Sequence, residues 1–121
     1  MSAAQTVRIA RVYDDARPED GERILVDRVW PRGFRKDDPR VGHWFKNAAP
    51  SNDLRRWYNH QPDRFAEFAR RYERELQSAE GQAAFTELRE RTRGKTVTLV
   101  TATRDLHGSQ AAVLARLLNT G

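Results

Sequence analysis

The chain has 121 residues, 38% hydrophobic and 32% charged, with a formal charge of +5 and no cysteine. That length suits one domain, spanning 1–121, with a single modest core, and the missing cysteines exclude a disulfide framework, thiolate catalysis and a zinc–thiolate site. No stretch approaches the roughly 20 apolar residues that span a bilayer, so a soluble, cytoplasmic protein with no membrane partner is expected.

Residues 1–6 are short, polar and without an apolar h-region, so a loose end is expected rather than a signal peptide. Residues 7–13 are rich in branched and aromatic side chains and predict a first strand. Pro18 and the pair Asp20-Gly21 mark a loop. The run Ile24-Leu25-Val26 is short, branched and unbroken, which suits a central strand covered on both faces. Pro31 then removes a backbone donor, and Gly33 permits a turn with positive φ.

Signals weaken over 34–50, where His43-Trp44-Phe45 fits either a short extended piece or a helical turn. Ser51 is a good N-cap for a short helix over 52–59. Pro62 and Asp63 restart a helix whose Phe65, Phe68, Tyr72 and Leu76 recur at spacings of three and four, an apolar stripe meant for the core. Residues 80–93 predict another helix, with Phe85 and Leu88 inward and Gly94 as its stop. A strand over 96–102, a polar loop and a last helix carrying Ala111, Leu114, Leu117 and Leu118 complete the chain. Strands, a helical middle, a strand and a helix predict a small α/β domain, a three-layer sandwich with a largely parallel sheet.

Ligands of α/β domains bind beyond the carboxyl ends of strands, which directs attention to two loops. In the first, Arg28 and Arg32 offer bidentate, permanently charged donors to phosphate or carboxylate. Trp30 can serve as a platform for a ring or as a wedge into the core. Asp27 can act as a general base, though beside two arginines it more simply orients one of them. In the second loop, Arg104, Asp105, His107, Ser109 and Gln110 surround a helix start. Such a start is an anion site through its free N–H groups, and Ser109 is equally an N-cap. His60, between two helices, is suited to proton transfer near neutrality or to simple capping.

No Walker or dinucleotide-binding glycine motif, no nucleophile elbow and no close histidine spacing occurs, so no metal or cofactor is expected.

Three readings follow. A small anionic ligand, bound or transformed between the two loops, comes first. The second is a nucleic-acid-binding or regulatory face built from Arg55, Arg56, Arg64, Arg70, Arg71 and Arg74, although a solvated mixed-charge surface is the simpler account of those charges. The third is a protein-interaction patch of Trp44, Phe45, Trp57 and Tyr58.

The segments Arg11-Val12-Tyr13-Asp14, Asp20-Gly21 and Leu25-Val26-Asp27-Arg28-Val29-Trp30-Pro31-Arg32-Gly33 resemble the YeaO-like branch of the family called domain of unknown function 488. The likeness continues through Trp44, Lys46, Ala49-Pro50-Ser51, Leu54-Arg55, His60, Phe68, Tyr72 and Glu75-Leu76, and closes with Thr98-Leu99-Val100, Ala111, Val113 and Leu114. It implies a compact cytoplasmic α/β domain whose shared polar residues gather in the same two loops. This chain departs from the family in carrying Ser109-Gln110 where relatives often have Asn followed by His, Asn or Gln. It also has Arg104 where Lys is common. A cap or an anion contact survives such a replacement, whereas a reaction residue does not.

Overall fold

The computed structural model describes residues 6–120. Most of the segment expected to be a loose end therefore lies outside the described residues, and Thr6 already belongs to a strand. Strand β1 (Thr6–Arg11), β2 (Glu22–Leu25), β3 (His43–Trp44) and β4 (Thr96–Thr101) form one sheet in the order β1-β4-β2-β3. All three pairings are parallel. β4 lies between β1 and β2, and its apolar run is buried from Val97 to Val100. The segment around His43 is the extended alternative. It is a two-residue strand held to the sheet where Phe45 N–H donates to the Leu25 carbonyl at 2.8 Å.

Helices α1 (Asn52–Tyr58), α2 (Phe65–Gln77), α3 (Ala79–Thr92) and α4 (Gln110–Thr120) all contribute to one core. Val7, Ile24, Val97 and Leu99 enter that core from one face of the sheet. The Ser51 hydroxyl accepts from Leu54 N–H at 3.1 Å as the α1 cap, and donates to Glu75 of α2 at 2.6 Å. The expected stripe on α2 is buried at Phe68, Tyr72 and Leu76, with the Phe68 ring stacked on Tyr58 at 4.3 Å between centroids. Tyr72 donates to the buried carbonyl of Ala48. On α3 the inward positions are Ala84, Leu88 and Thr92. Phe85, expected inward, is only partly buried, its ring lying under the Arg89 guanidinium at 5.0 Å.

The opposite face of the sheet buries Leu25, Val100, Val12 and Val41 beneath Trp30, Phe34 and Trp44. The layer on that side is therefore built from loop residues, where a three-layer sandwich ordinarily has helices. A loop can cover a sheet only if its backbone groups find partners. Arg23, 5% exposed, provides them: it donates to the Arg40 carbonyl at 2.7 Å, the Asp14 carbonyl at 2.9 Å and the Asp20 carboxylate at 2.8 Å. Burial pushes the Asp20 carboxyl up, but the Arg17 N–H and the Arg23 guanidinium outweigh it and hold Asp20 below the usual carboxylate range.

The free edge of β1 is clamped at two points. The Asn119 side chain accepts from Val7 N–H at 2.9 Å and donates to the Val7 carbonyl at 3.0 Å. Further along, Asp14 bonds both backbone groups of Arg11, at 3.2 and 3.0 Å.

Replacing Arg23 by Met would leave the buried Asp20 charge with only the more distant Arg8 guanidinium at 3.9 Å, a loss of roughly 3 kcal/mol at neutral pH. Because the folded carboxyl titrates below its unfolded value, its contribution is present above the ordinary pKa and disappears as pH falls through the folded one. Urea denaturation of both proteins is expected to show the gap shrinking on acidification. A gap that does not depend on pH would assign the loss to packing alone.

Candidate functional site

The ladder of β2 continues one residue past the strand, with Val26 N–H donating to the Val100 carbonyl at 3.1 Å. Asp27 follows, and its carboxylate is turned towards β4 and α4. It accepts from the Thr101 hydroxyl at 2.6 Å, from Ala102 N–H at 2.8 Å and from the Gln110 side-chain amide at 2.5 Å. The Trp44 indole donates to the Asp27 carbonyl at 2.7 Å. One residue thus joins the ends of β2, β3 and β4 to the start of α4. Burial raises the Asp27 carboxyl above its ordinary range, outweighing the bonds from Thr101, Ala102 and Gln110 and the charge of Arg55.

Asp27 was expected to orient an arginine of its own loop, and no such bond forms. Arg28 instead donates to the carbonyls of Pro50 and Ala49, both at 2.9 Å, which ties this loop to the entrance of α1. Trp30 donates to the Phe34 carbonyl at 2.9 Å and packs edge-on against Trp44, centroids 5.5 Å apart. Gly33 makes the expected turn with φ of 88°, a conformation costly for other residues. Arg32, one position earlier, is exposed.

The two loops meet at the carboxyl end of the sheet, around a cleft of about 460 Å3. Asp27, Arg28 and Trp30 line one side, Arg55, Arg56 and His60 the other, with Gln110 also in the lining. A second cavity of about 550 Å3 adjoins it, lined in part by Arg11, Tyr13, His60 and Arg104. His60 reaches both because Asn59 and His60 turn the chain with φ of 47° and 54°. Two successive left-handed non-glycine residues are uncommon. Tyr58 beneath them donates to the Gly108 carbonyl at 2.7 Å, fixing α1 against the loop before α4.

Of the residues singled out in sequence, Asp27, Arg28, Trp30 and His60 share the first cleft, and Arg104 joins His60 in the second cavity. Arg32 and Ser109 line neither. Ser109 is 1% exposed, donating to the Leu106 carbonyl at 2.6 Å and accepting from Ala112 N–H at 3.4 Å, as a cap does. Its neighbour Gln110 is the residue that reaches Asp27. Arg55 and Arg56 were read as part of a basic face, and Arg55 also among the residues shared with the family, but neither was assigned to the site. A signal for them was available: the last turn of a helix ending at Asn59-His60 must lie beside whatever His60 faces.

The other two surfaces fare differently. Arg56 is paired with Asp53 at 2.8 Å, and Glu67 takes both Arg70 and Arg71, at 2.6 and 2.9 Å, so much of the basic face is locally neutralised. Phe45 and Tyr58 are buried, and Trp57 lies under Arg71 and Arg64 at 4.2 and 5.4 Å, so the four aromatics do not form an open patch. Among the described residues no group of His, Asp and Glu is arranged to hold a metal ion, and no helix is long and apolar enough to cross a membrane.

Residues 6–121 match the family model described as the inactive DUF488-N3 subclade. The uncharacterized proteins Rv3073c of Mycobacterium tuberculosis and Mb3100c of Mycobacterium bovis are each 60% identical over 113 residues, covering 93% of this chain and 93% of theirs. The uncharacterized protein YeaO of Escherichia coli is 34% identical over 114 residues, covering 94% of this chain and 97% of its own. No solved structure matches. The chain belongs to the DUF488 family, in its YeaO-like branch.

Asp27→Asn removes one acceptor from a site with three donors, so the variant is expected to be less stable at low pH by about 1–3 kcal/mol. The raised carboxyl means that ionising Asp27 costs the folded state more than the unfolded one. Wild-type stability therefore falls relative to the variant as pH rises from the ordinary carboxylate value through the raised one. Urea denaturation across that window is expected to show the difference narrowing. Widening would mean that the three donors outweigh burial.

Proposed function

We propose that this domain binds a small anionic ligand, bearing phosphate or carboxylate, in the cleft at the carboxyl ends of β2 and β4, and that it does not transform it. The observation that carries this reading is an imbalance of charge. Arg28, Arg55 and Arg56 line the cleft against the single carboxylate of Asp27, and that carboxylate is already engaged by three neutral donors. Arg56 has Asp53 as a partner, whereas Arg55 makes only a 3.4 Å contact with the Asn52 side chain. A guanidinium with no acid partner at a concave surface can meet phosphate or carboxylate with two parallel bonds. Arg28, held by two carbonyls, adds a fixed positive charge, and Trp30 and Phe68 supply apolar wall. His60 adds a ring nitrogen that can donate to an anion.

Binding without turnover is favoured because the carboxylate and the serine singled out in the two loops are both engaged within the structure. Asp27 is committed to three donors, and Ser109 is turned inward as a cap. The family description as an inactive subclade fits the same reading.

The test is a thermal-shift and calorimetric series with inorganic phosphate, nucleotides and small carboxylates. A ligand at 100 times its Kd is expected to stabilise the native state by about 2.7 kcal/mol. Arg55→Ala should weaken that ligand about tenfold or more, since a bond to a charged group contributes roughly 1.5–3 kcal/mol. Arg74→Ala, which removes an equal charge from an exposed position on α2, should not. NMR after prolonged incubation should return the ligand unchanged. A response limited to oligonucleotides and falling steeply with salt would favour the nucleic-acid reading instead.

A further inference from the structure

We infer that the ligand carries two separated anionic groups, one held in the first cleft and one in the cavity beside it, an inference that rests on the anion-binding reading of the first cleft. The two cavities, about 460 and 550 Å3, are contiguous in their lining, sharing Tyr58, His60, Ala102, Thr103 and Gly108. A molecule filling only the first would leave the second to water.

The second cavity has its own cationic equipment. Arg11 and Arg104 both line it, and neither forms an ion pair among the described residues. Arg11 lies over the Tyr13 ring at 4.8 Å, and its Nε is buried with no hydrogen-bond partner. The Nε of Arg91, a residue paired with Glu22, is buried in the same way, so it is the absence of an acid partner that leaves the Arg11 guanidinium available to a ligand anion. The one carboxylate in the lining, Asp105, is directed to its own turn, accepting from Gly108 N–H at 3.3 Å. Elsewhere some arginines are matched to acids, as at Arg40, Arg70, Arg71, Arg91 and Arg116, and others, such as Arg32 and Arg74, stand exposed; Arg11, Arg55 and Arg104 are set apart by lining concave surface. Unmatched guanidiniums thus stand on both sides of the His60 saddle, Arg55 on one and Arg11 with Arg104 on the other.

The exposed apolar side chains tell the same story. Val29 and Tyr13, 60% and 48% exposed, line the first and second cavity respectively. Apolar surface beside each cationic group suits the carbon skeleton of an elongated dianion, a bisphosphate, a dicarboxylate or a phosphorylated acid.

Calorimetry with alkane-α,ω-bisphosphates and α,ω-dicarboxylates of increasing length, beside the matching alkyl monophosphates and monocarboxylates, tests the inference and distinguishes the two anion types. One chain length is expected to bind at least tenfold more tightly than its monophosphate, as linked contacts do when the span matches. In Arg104→Ala, on an exposed loop, that ratio should fall towards one, and Arg11→Ala should act in the same direction. If monophosphate binds and no bisphosphate or dicarboxylate gains on its single-headed counterpart, the inference is overturned while the first cleft keeps its role. A gain that survives both substitutions overturns it as well. If no small anion binds at all, the reading of the first cleft fails and the inference with it.

Discussion

A carboxylate placed where water is scarce must be given donors or be neutralised, and Asp27 is met by three donors drawn from distant parts of the chain. β4 brings the Thr101 hydroxyl and the Ala102 N–H, and α4 begins at Gln110 so that its amide can complete the set. The carbonyl of the same residue receives the Trp44 indole and so fixes the short edge strand. The carboxyl end of the sheet therefore has little freedom. Its loops diverge from a common knot, and the cleft is the space between them.

The two faces of the sheet solve the burial problem differently. On one, helices close their own backbone bonds and bring only side chains to the core. On the other, loop backbone must be satisfied from outside, and Arg23 does much of this with one planar group reaching Arg40, Asp14 and Asp20. The Thr98 hydroxyl adds a bond to the Asp20 carbonyl at 2.8 Å. Arg23 and Arg28 thus do related jobs near the two ends of β2, each fastening loop carbonyls distant in the chain. Both are arginines for a geometric reason, since a guanidinium reaches separated carbonyls from spaced, coplanar nitrogens, whereas a lysine presents all its N–H groups from one atom.

Local chemistry explains what the sequence made readable. Ser51 caps the helix that starts beside it through an N–H three residues away, the Phe68, Tyr72 and Leu76 stripe repeats within one element, and branched runs announced the strands. The site loops were legible as places, because a strand that stops at Pro and Gly has to open into a loop. Their contents were less so. Arg28 looked like a ligand donor because its acceptors, Ala49 and Pro50, lie 21 and 22 residues away and leave no local mark. The partners of Asp27 are 74, 75 and 83 residues distant. Between Ser109 and Gln110 the decision rests on helix phase at the first turn, which composition does not supply. Phe85 failed for a related reason: α3 packs along Ala84, Leu88 and Thr92, one step round from the bulkiest apolar side chain.

The Asn119 clamp on Val7 also sets the polarity of the molecule. Val7 stands near the start of β1, so the clamp lies at the amino-end rim of a parallel sheet, and the cleft opens at the other rim. By imitating a neighbouring strand, the Asn119 amide denies the β1 edge a place for an incoming chain to begin pairing. It also brings the beginning of the first strand and the last turn of the last helix side by side. Both therefore lie behind the sheet, on the rim away from the mouth of the cleft.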